Sequence, residues 1–193
     1  MSVRAIEIFR AGTHETVNGP ATITPEQLAH AAAAYDPEKY RAPLTIGHPP
    51  DDQPRMGDVL TLVLRGIRLF ALADVGEALI NMVRARSLRD VSASFFGPNA
   101  PGNPTPGVFA LKHVGVLVGQ APAVKGMEPL AFAAPQLFFD FAAPLNSAVA
   151  SDRIAHYEIA RSLQRACPSM SFIDCARHAE RALQAKGAPC SIR

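Results

Sequence analysis

Two apolar runs, Asp58 to Leu64 and Ile67 to Ala73, stand either side of Arg65-Gly66. A two-residue link holding a glycine that can take positive φ closes a β-hairpin, so the middle of the chain is committed to antiparallel strands. The flanking segments extend that pattern. Val3, Ala5, Ile6, Ile8 and Phe9 form a first strand, Gly12 to Pro20 reads as a turn, and Leu44 to Ile46 is a short strand leading into Gly47-His48. Val91 to Phe96 and Val108 to Val118 supply two more. Between these last two, Gly97 to Gly107 holds four prolines and three glycines and cannot join a sheet.

Helices fill the gaps. Thr24-Pro25-Glu26-Gln27 places an N-cap, a proline at the first helical position and a capping-box partner in order, and the alanine-rich helix that follows stops at Asp36-Pro37. Glu77 to Arg86 carries Leu79, Ile80 and Val83 at helical spacing. The expected architecture is β-rich α+β: an antiparallel β-barrel or sandwich with peripheral helices, over residues 1–127. From 128 to 150 a small Ala/Phe/Pro repeat, Leu130-Ala-Phe-Ala-Ala-Pro and Phe139-Asp-Phe-Ala-Ala-Pro, reads as a linker. In residues 151–193, Asp152 to Arg165 and Phe172 to Lys186 read as two helices split by Cys167-Pro168, a C-terminal extension suited to partner binding or assembly.

Composition narrows the function classes. At 193 residues the chain can bury one sizeable core. A net charge of +2 without a Lys/Arg run gives no reason to expect nucleic acid, and no apolar stretch is long enough to span a membrane. Cys167, Cys175 and Cys190 cluster near the end without a CxxC pair, which fits a reducing, cytoplasmic setting better than a disulfide framework. Neither GxGxxG nor GxxxxGK[ST] occurs, so no nucleotide cofactor is expected.

The chemistry-bearing residues are few. Ser92 and Ser94 share one face of their strand, and the same spacing also describes a solvent-facing polar stripe. His113 shares its strand face with Phe109, Leu111 and Leu117, and Gly115 beside it leaves room for an approaching group. It suits either a core histidine satisfied by backbone or one that orients another histidine. His48 sits on a stiff turn between Gly47 and Pro49-Pro50, a setting that suits a general base. With Asp51 and Asp52 behind it a hard metal site is conceivable, but no second histidine stands nearby to complete the ligands. A hydroxyl, a base and a group to orient the base are the minimum for nucleophilic catalysis, so the expectation is a serine hydrolase without metal or cofactor.

Several segments in order resemble the Mu-like phage head maturation protease (protease/scaffold) family. They are Phe9-Arg-Ala-Gly-Thr-His, the helix ending Ala-Tyr-Asp-Pro, Ala42-Pro-Leu-Thr-Ile-Gly-His-Pro, Val91-Ser-Ala-Ser-Phe, Pro101-Gly-Asn-Pro-Thr-Pro-Gly and Leu111-Lys-His-Val-Gly-Val-Leu with Pro122-Ala-Val-Lys-Gly. The resemblance covers residues 5–130 and implies kinship with prohead proteases and herpesvirus assemblins, hence an assemblin-like barrel. It implies His48 as general base, Ser92 as nucleophile with Ser94 as the alternative, and His113 as the third, orienting member of a Ser-His-His triad. Backbone N–H groups at Gly119 and Gln120 are the candidates for an oxyanion hole. It further implies an endopeptidase acting on phage scaffold and major head proteins, or on itself, inside the assembling prohead in the bacterial cytoplasm, and a homodimer by analogy. The competing expectation is a catalytically inactive assembly protein that retains the fold.

Overall fold

The computed structural model describes residues 2–16, 19–85, 88–118, 122–132 and 147–187. A six-stranded sheet holds β1 (Ser2–Arg10), β4 (Pro43–Ile46), β5 (Gly57–Arg65), β6 (Arg68–Val75), β7 (Asp90–Phe96) and β8 (Ala110–Leu117) in the order β1-β6-β5-β4-β8-β7. The remaining strands, β2 (Gly12–Thr16) and β3 (Gly19–Ile23), make a separate two-stranded ribbon. The helices are α1 (Pro25–Ala34), α2 (Glu77–Arg84), α3 (Ser147–Ala166) and α4 (Phe172–Gly187).

The local signals behave as their chemistry requires. Thr24 caps α1 with both capping-box hydrogen bonds made, and α2 buries Leu79, Ile80 and Val83. The central hairpin forms with Arg65 paired to Arg68, so its link is Gly66-Ile67, one residue later than the expected Arg65-Gly66, and Gly66 takes φ +58°.

Two expectations need correction. The sheet is not wholly antiparallel: β4 runs parallel to β8, pairing Leu44 with Val114 and Ile46 with Val116. Nor is it a closed barrel. The edge strands β1 and β7 approach each other, with Phe9 and Phe95 meeting edge to face at 5.2 Å, yet no ladder joins them among the described residues. The result is a curled half-barrel. The turn expected over Gly12 to Pro20 is a hairpin instead; its largely exposed ribbon carries no apolar alternation, and its cross-strand side-chain hydrogen bonds include Thr13 to Thr22 at 2.8 Å and Thr16 to the Gly19 carbonyl at 2.7 Å.

The sheet is buried on both faces. Leu69, Ala71, Ala73 and Val75 of β6 point into an inner core with Ile6, Ile8, Leu44, Val91, Val114 and Val116, closed by α1 and α2. Leu130 and Phe132, from the start of the expected linker, also enter it, and Leu130 N–H donates to the Arg89 carbonyl at 2.8 Å. Phe70 and Leu72 point the other way, into an outer core with Val3, Leu60 and Val63 that α3, α4 and the link between them cover with Ile159, Leu163, Cys175 and Met170. The C-terminal helices are thus packed on the sheet, and the end of α4 is tied down by Arg41 donating to the Ala185 carbonyl at 2.9 Å. Leu163 is fully buried there. Leu163→Ala should cost about 2–5 kcal/mol, read as a lower urea midpoint; an unchanged midpoint would mean that α3 does not stay docked in solution.

Candidate active site

β8 organises the site. It lies between β4 and β7, and β4 ends at Gly47, whose φ of +64° turns the chain back over β8. Gly47 N–H donates to the Val116 carbonyl at 2.9 Å, so His48 is delivered directly above Gly115. A Cβ on Gly115 would collide with the Gly47 carbonyl oxygen and stand 3.1 Å from His48 Cε1. The group for which Gly115 leaves room is therefore the Gly47–His48 turn itself. Gly115→Ala must push that backbone away, with an overpacking cost of about 1–3 kcal/mol and a displaced His48. Equal stability and an unmoved His48 resonance in the variant would refute this.

On the other side of β8, Ser92 pairs with Gly115 and Ser94 with His113. Directly opposed residues share a sheet face with Cβ positions about 5 Å apart. Ser92 therefore lies on the face over which the His48 ring sits, while Ser94 lies beside His113. Beyond this pair the register slips: Phe95 pairs with Leu111, leaving Lys112 as a bulge. The bulge reverses the alternation, so the expectation that His113 and Leu111 share a face is corrected. Leu111 joins the inner core with Phe95, and His113 points to the opposite side.

The two histidines meet. His48 Nδ1 is 2.7 Å from His113 Nε2, and His113 Nδ1 is 2.5 Å from Asp52 Oδ1. Sequence reasoning treated Asp52 only as a conceivable metal ligand; here its carboxylate is the far end of a His48–His113–Asp52 chain. It arrives there because Asp52 takes a left-handed φ of +57°, which Asp tolerates better than most residues and which folds the His48–Asp52 turn back onto β8. Lys112 Nζ stands 3.7 Å from the same Oδ1, and the Tyr40 hydroxyl 3.4 Å from Oδ2.

Proton placement follows from donor and acceptor capacity. A carboxylate only accepts, so His113 donates through Nδ1–H. Neutral His113 then offers Nε2 as an acceptor, which His48 fills with its own Nδ1–H. His48 Nε2 is left with its lone pair, and it has no hydrogen bond among the described residues. Both rings favour the neutral form. Burial lowers the His48 pKa, and nearby His113 and Lys112 push it the same way. Burial also lowers that of His113, with the Asp52 hydrogen bond and charge opposing it and Lys112 adding to it. His113 is buried and His48 exposed, so the chain runs from the interior to an accessible nitrogen.

Not every expected member is joined. No hydrogen bond links Ser92 to His48 among the described residues; what relates them is strand register. Gly119 and Gln120, the oxyanion candidates, lie outside the described residues. Of the other histidines, His14 stands on β2 with Nε2 2.8 Å from the Arg10 carbonyl, and His156 bonds the Ala176 carbonyl, so neither belongs to this site.

No family model and no curated protein matches the sequence. Among solved structures, Kaposi's sarcoma-associated herpesvirus protease with an allosteric inhibitor is 13% identical, with 100% of this chain and 94% of that chain covered and a TM-score of 0.49. The same protease with a hexapeptide phosphonate inhibitor is 13% identical, covers 100% of both chains and has a TM-score of 0.47. In complex with a dimer disruptor it is 16% identical over 62% of this chain and 71% of that one, with a TM-score of 0.40.

Proposed function

We propose that the chain is a serine endopeptidase in which Ser92 is the nucleophile, His48 the general base and His113, backed by Asp52, the group that orients the base. One observation carries the reading: the hydrogen-bonded chain from Asp52 through His113 leaves His48 Nε2 as a basic nitrogen on the sheet face that Ser92 shares. As Ser92 Oγ attacks a carbonyl carbon, its proton passes to Nε2. The imidazolium so formed keeps its Nδ1–H on His113, and the Asp52 charge stabilises it through the second ring. The same proton then passes to the amine as the C–N bond breaks, and water, deprotonated in turn by His48, hydrolyses the Ser92 ester. Ser94 is the weaker candidate, because both nitrogens of its neighbour His113 are already engaged. The sequence resemblance supports scaffold and head proteins of an assembling phage capsid, or the chain itself, as substrates, and a homodimer as the working form.

A serine-directed diphenyl phosphonate tests this directly. The expected result is a single adduct on Ser92 by peptide mapping, abolished by His48→Ala. Labelling requires unprotonated His48, whose pKa in the fold lies below its ordinary 6.5. The acid limb of the labelling rate should therefore have its midpoint below pH 6.5, the apparent value belonging to the coupled His48–His113 pair. Stability follows the same sign: below pH 6.5 the unfolded chain binds protons that the fold resists, so the Tm should fall as pH drops through that window. No adduct on Ser92, or labelling indifferent to His48, would favour an inactive assembly protein.

A further inference from the structure

We propose that Tyr40 is a positioning residue for the Asp52 carboxylate and, through it, fixes which nitrogen of His113 carries the proton. The proposal rests on the hydrolase reading for its consequence, but its geometry is independent of it. Tyr40 stands between α1 and β4, where Asp36-Pro37 has ended the helix; its backbone N–H donates to the Asp36 carbonyl at 3.0 Å. Its ring meets Phe96 of β7 edge to face at 5.7 Å. That contact aims the hydroxyl across β8 at two acceptors. Its single proton is shared between them, with the Lys112 carbonyl at 2.8 Å as the shorter arm and Asp52 Oδ2 at 3.4 Å as the longer.

The bulge explains the first contact. Lys112 is the extra residue on β8, opposite no partner on β7, so its carbonyl needs a donor from elsewhere. Tyr40 supplies it, and the position this fixes lets the same O–H reach Asp52 Oδ2 as the longer arm of the shared hydrogen bond. The two carboxylate oxygens are then distinguished: Oδ1 takes the His113 proton with Lys112 Nζ at 3.7 Å, while Oδ2 faces the phenol. A carboxylate free to rotate would present either oxygen to His113 at varying distance; one held at Oδ2 presents Oδ1. Burial, followed by the Asp52 charge, raises the Tyr40 pKa to about 12, so the phenol stays a donor throughout the neutral range. Tyr40 also bridges the strand that carries Ser92, the strand that carries His113 and the loop that carries Asp52.

Tyr40→Phe keeps the ring on Phe96 and removes only the hydroxyl. Two measurements separate positioning from mere structure. In phosphonate labelling, Tyr40→Phe should slow the reaction about tenfold, and should slow it no further when Asp52 is already alanine. An equal loss with and without Asp52 would overturn the proposal, since the hydroxyl would then act only through the Lys112 carbonyl or the fold. The second measurement needs no activity. In Ser92→Ala protein, ¹⁵N spectra should show His113 protonated at Nδ1, and adding Tyr40→Phe should shift His113 toward a mixture of tautomers. Unchanged His113 signals would overturn the proposal even if labelling slowed. A shifted His113 in a protein that no phosphonate labels would uphold the positioning role and reject the hydrolase reading.

Discussion

Ser92→Ala is expected to reduce peptide-bond hydrolysis by roughly 10⁴-fold or more, with the unfolding free energy from urea denaturation unchanged within about 0.5 kcal/mol. The stability half follows from the site: the Ser92 side chain is half-buried and makes no hydrogen bond among the described residues, so alanine strands no partner. The activity half follows from the absence of a substitute. The other hydroxyl on this face, Ser94, opposes His113, whose nitrogens are committed to His48 and Asp52. Ser94→Ala should therefore leave hydrolysis within a few-fold of wild type. The assay is cleavage of a co-expressed scaffold or head protein by wild type and the two variants, followed by mass spectrometry of the products. If Ser94→Ala abolishes cleavage and Ser92→Ala does not, Ser94 is the nucleophile and strand register does not decide which hydroxyl His48 serves.

The sequence carried much of this site, though unevenly. That His113 needs a partner was legible, because a histidine among apolar strand residues must find one, and Gly115 beside it marked a close approach; whether backbone or a second histidine supplies that partner was left open. The hairpin over β5 and β6 and the capping box of α1 were legible because each is set by a few adjacent residues. The parallel pairing of β4 was not: Pro43-Leu-Thr-Ile is too short to show which neighbour it will take, and only β8, far along the chain, decides it. The bulge was hidden for a related reason. Lys112 looks like an ordinary outward residue of an alternating strand until the pairing with β7 shows that Ser94 opposes His113 while Phe95 opposes Leu111. Asp52 was the largest omission. Its distance of four residues from His48 suggested a shared ligand, whereas a left-handed turn sends it to a histidine on another strand. A carboxylate closely following a histidine on a proline-stiffened turn is the available signal, and in the sequence it reads only as a conceivable metal ligand.

Asp52→Asn, set beside Asp51→Ala, separates a carboxylate behind His113 from one on a metal, and its expected effect is a loss of about 10²–10⁴-fold in kcat. Asparagine accepts the left-handed φ at this position about as well as aspartate, so the turn should survive. The amide, however, can donate. If the substituted side chain turns its NH₂ toward His113 Nδ1, that nitrogen becomes the acceptor and the His113 proton moves to Nε2. His113 then donates to His48 Nδ1, and His48 must carry its own proton on Nε2, where the attacking serine needs a lone pair. One atom exchanged at the carboxylate end thus reverses every hydrogen bond in the chain and disarms the base without touching it. Asp51 provides the contrast. It is exposed, and its Oδ1 accepts from the Gln53 N–H at 3.2 Å, within its own turn. A relay through His113 predicts that Asp51→Ala leaves kcat within a few-fold, whereas a metal held by His48, Asp51 and Asp52 predicts that both aspartates matter and that a chelator abolishes activity. Cleavage that survives chelator and Asp51→Ala but collapses in Asp52→Asn would place the carboxylate behind His113; collapse in all three would place it on a metal instead.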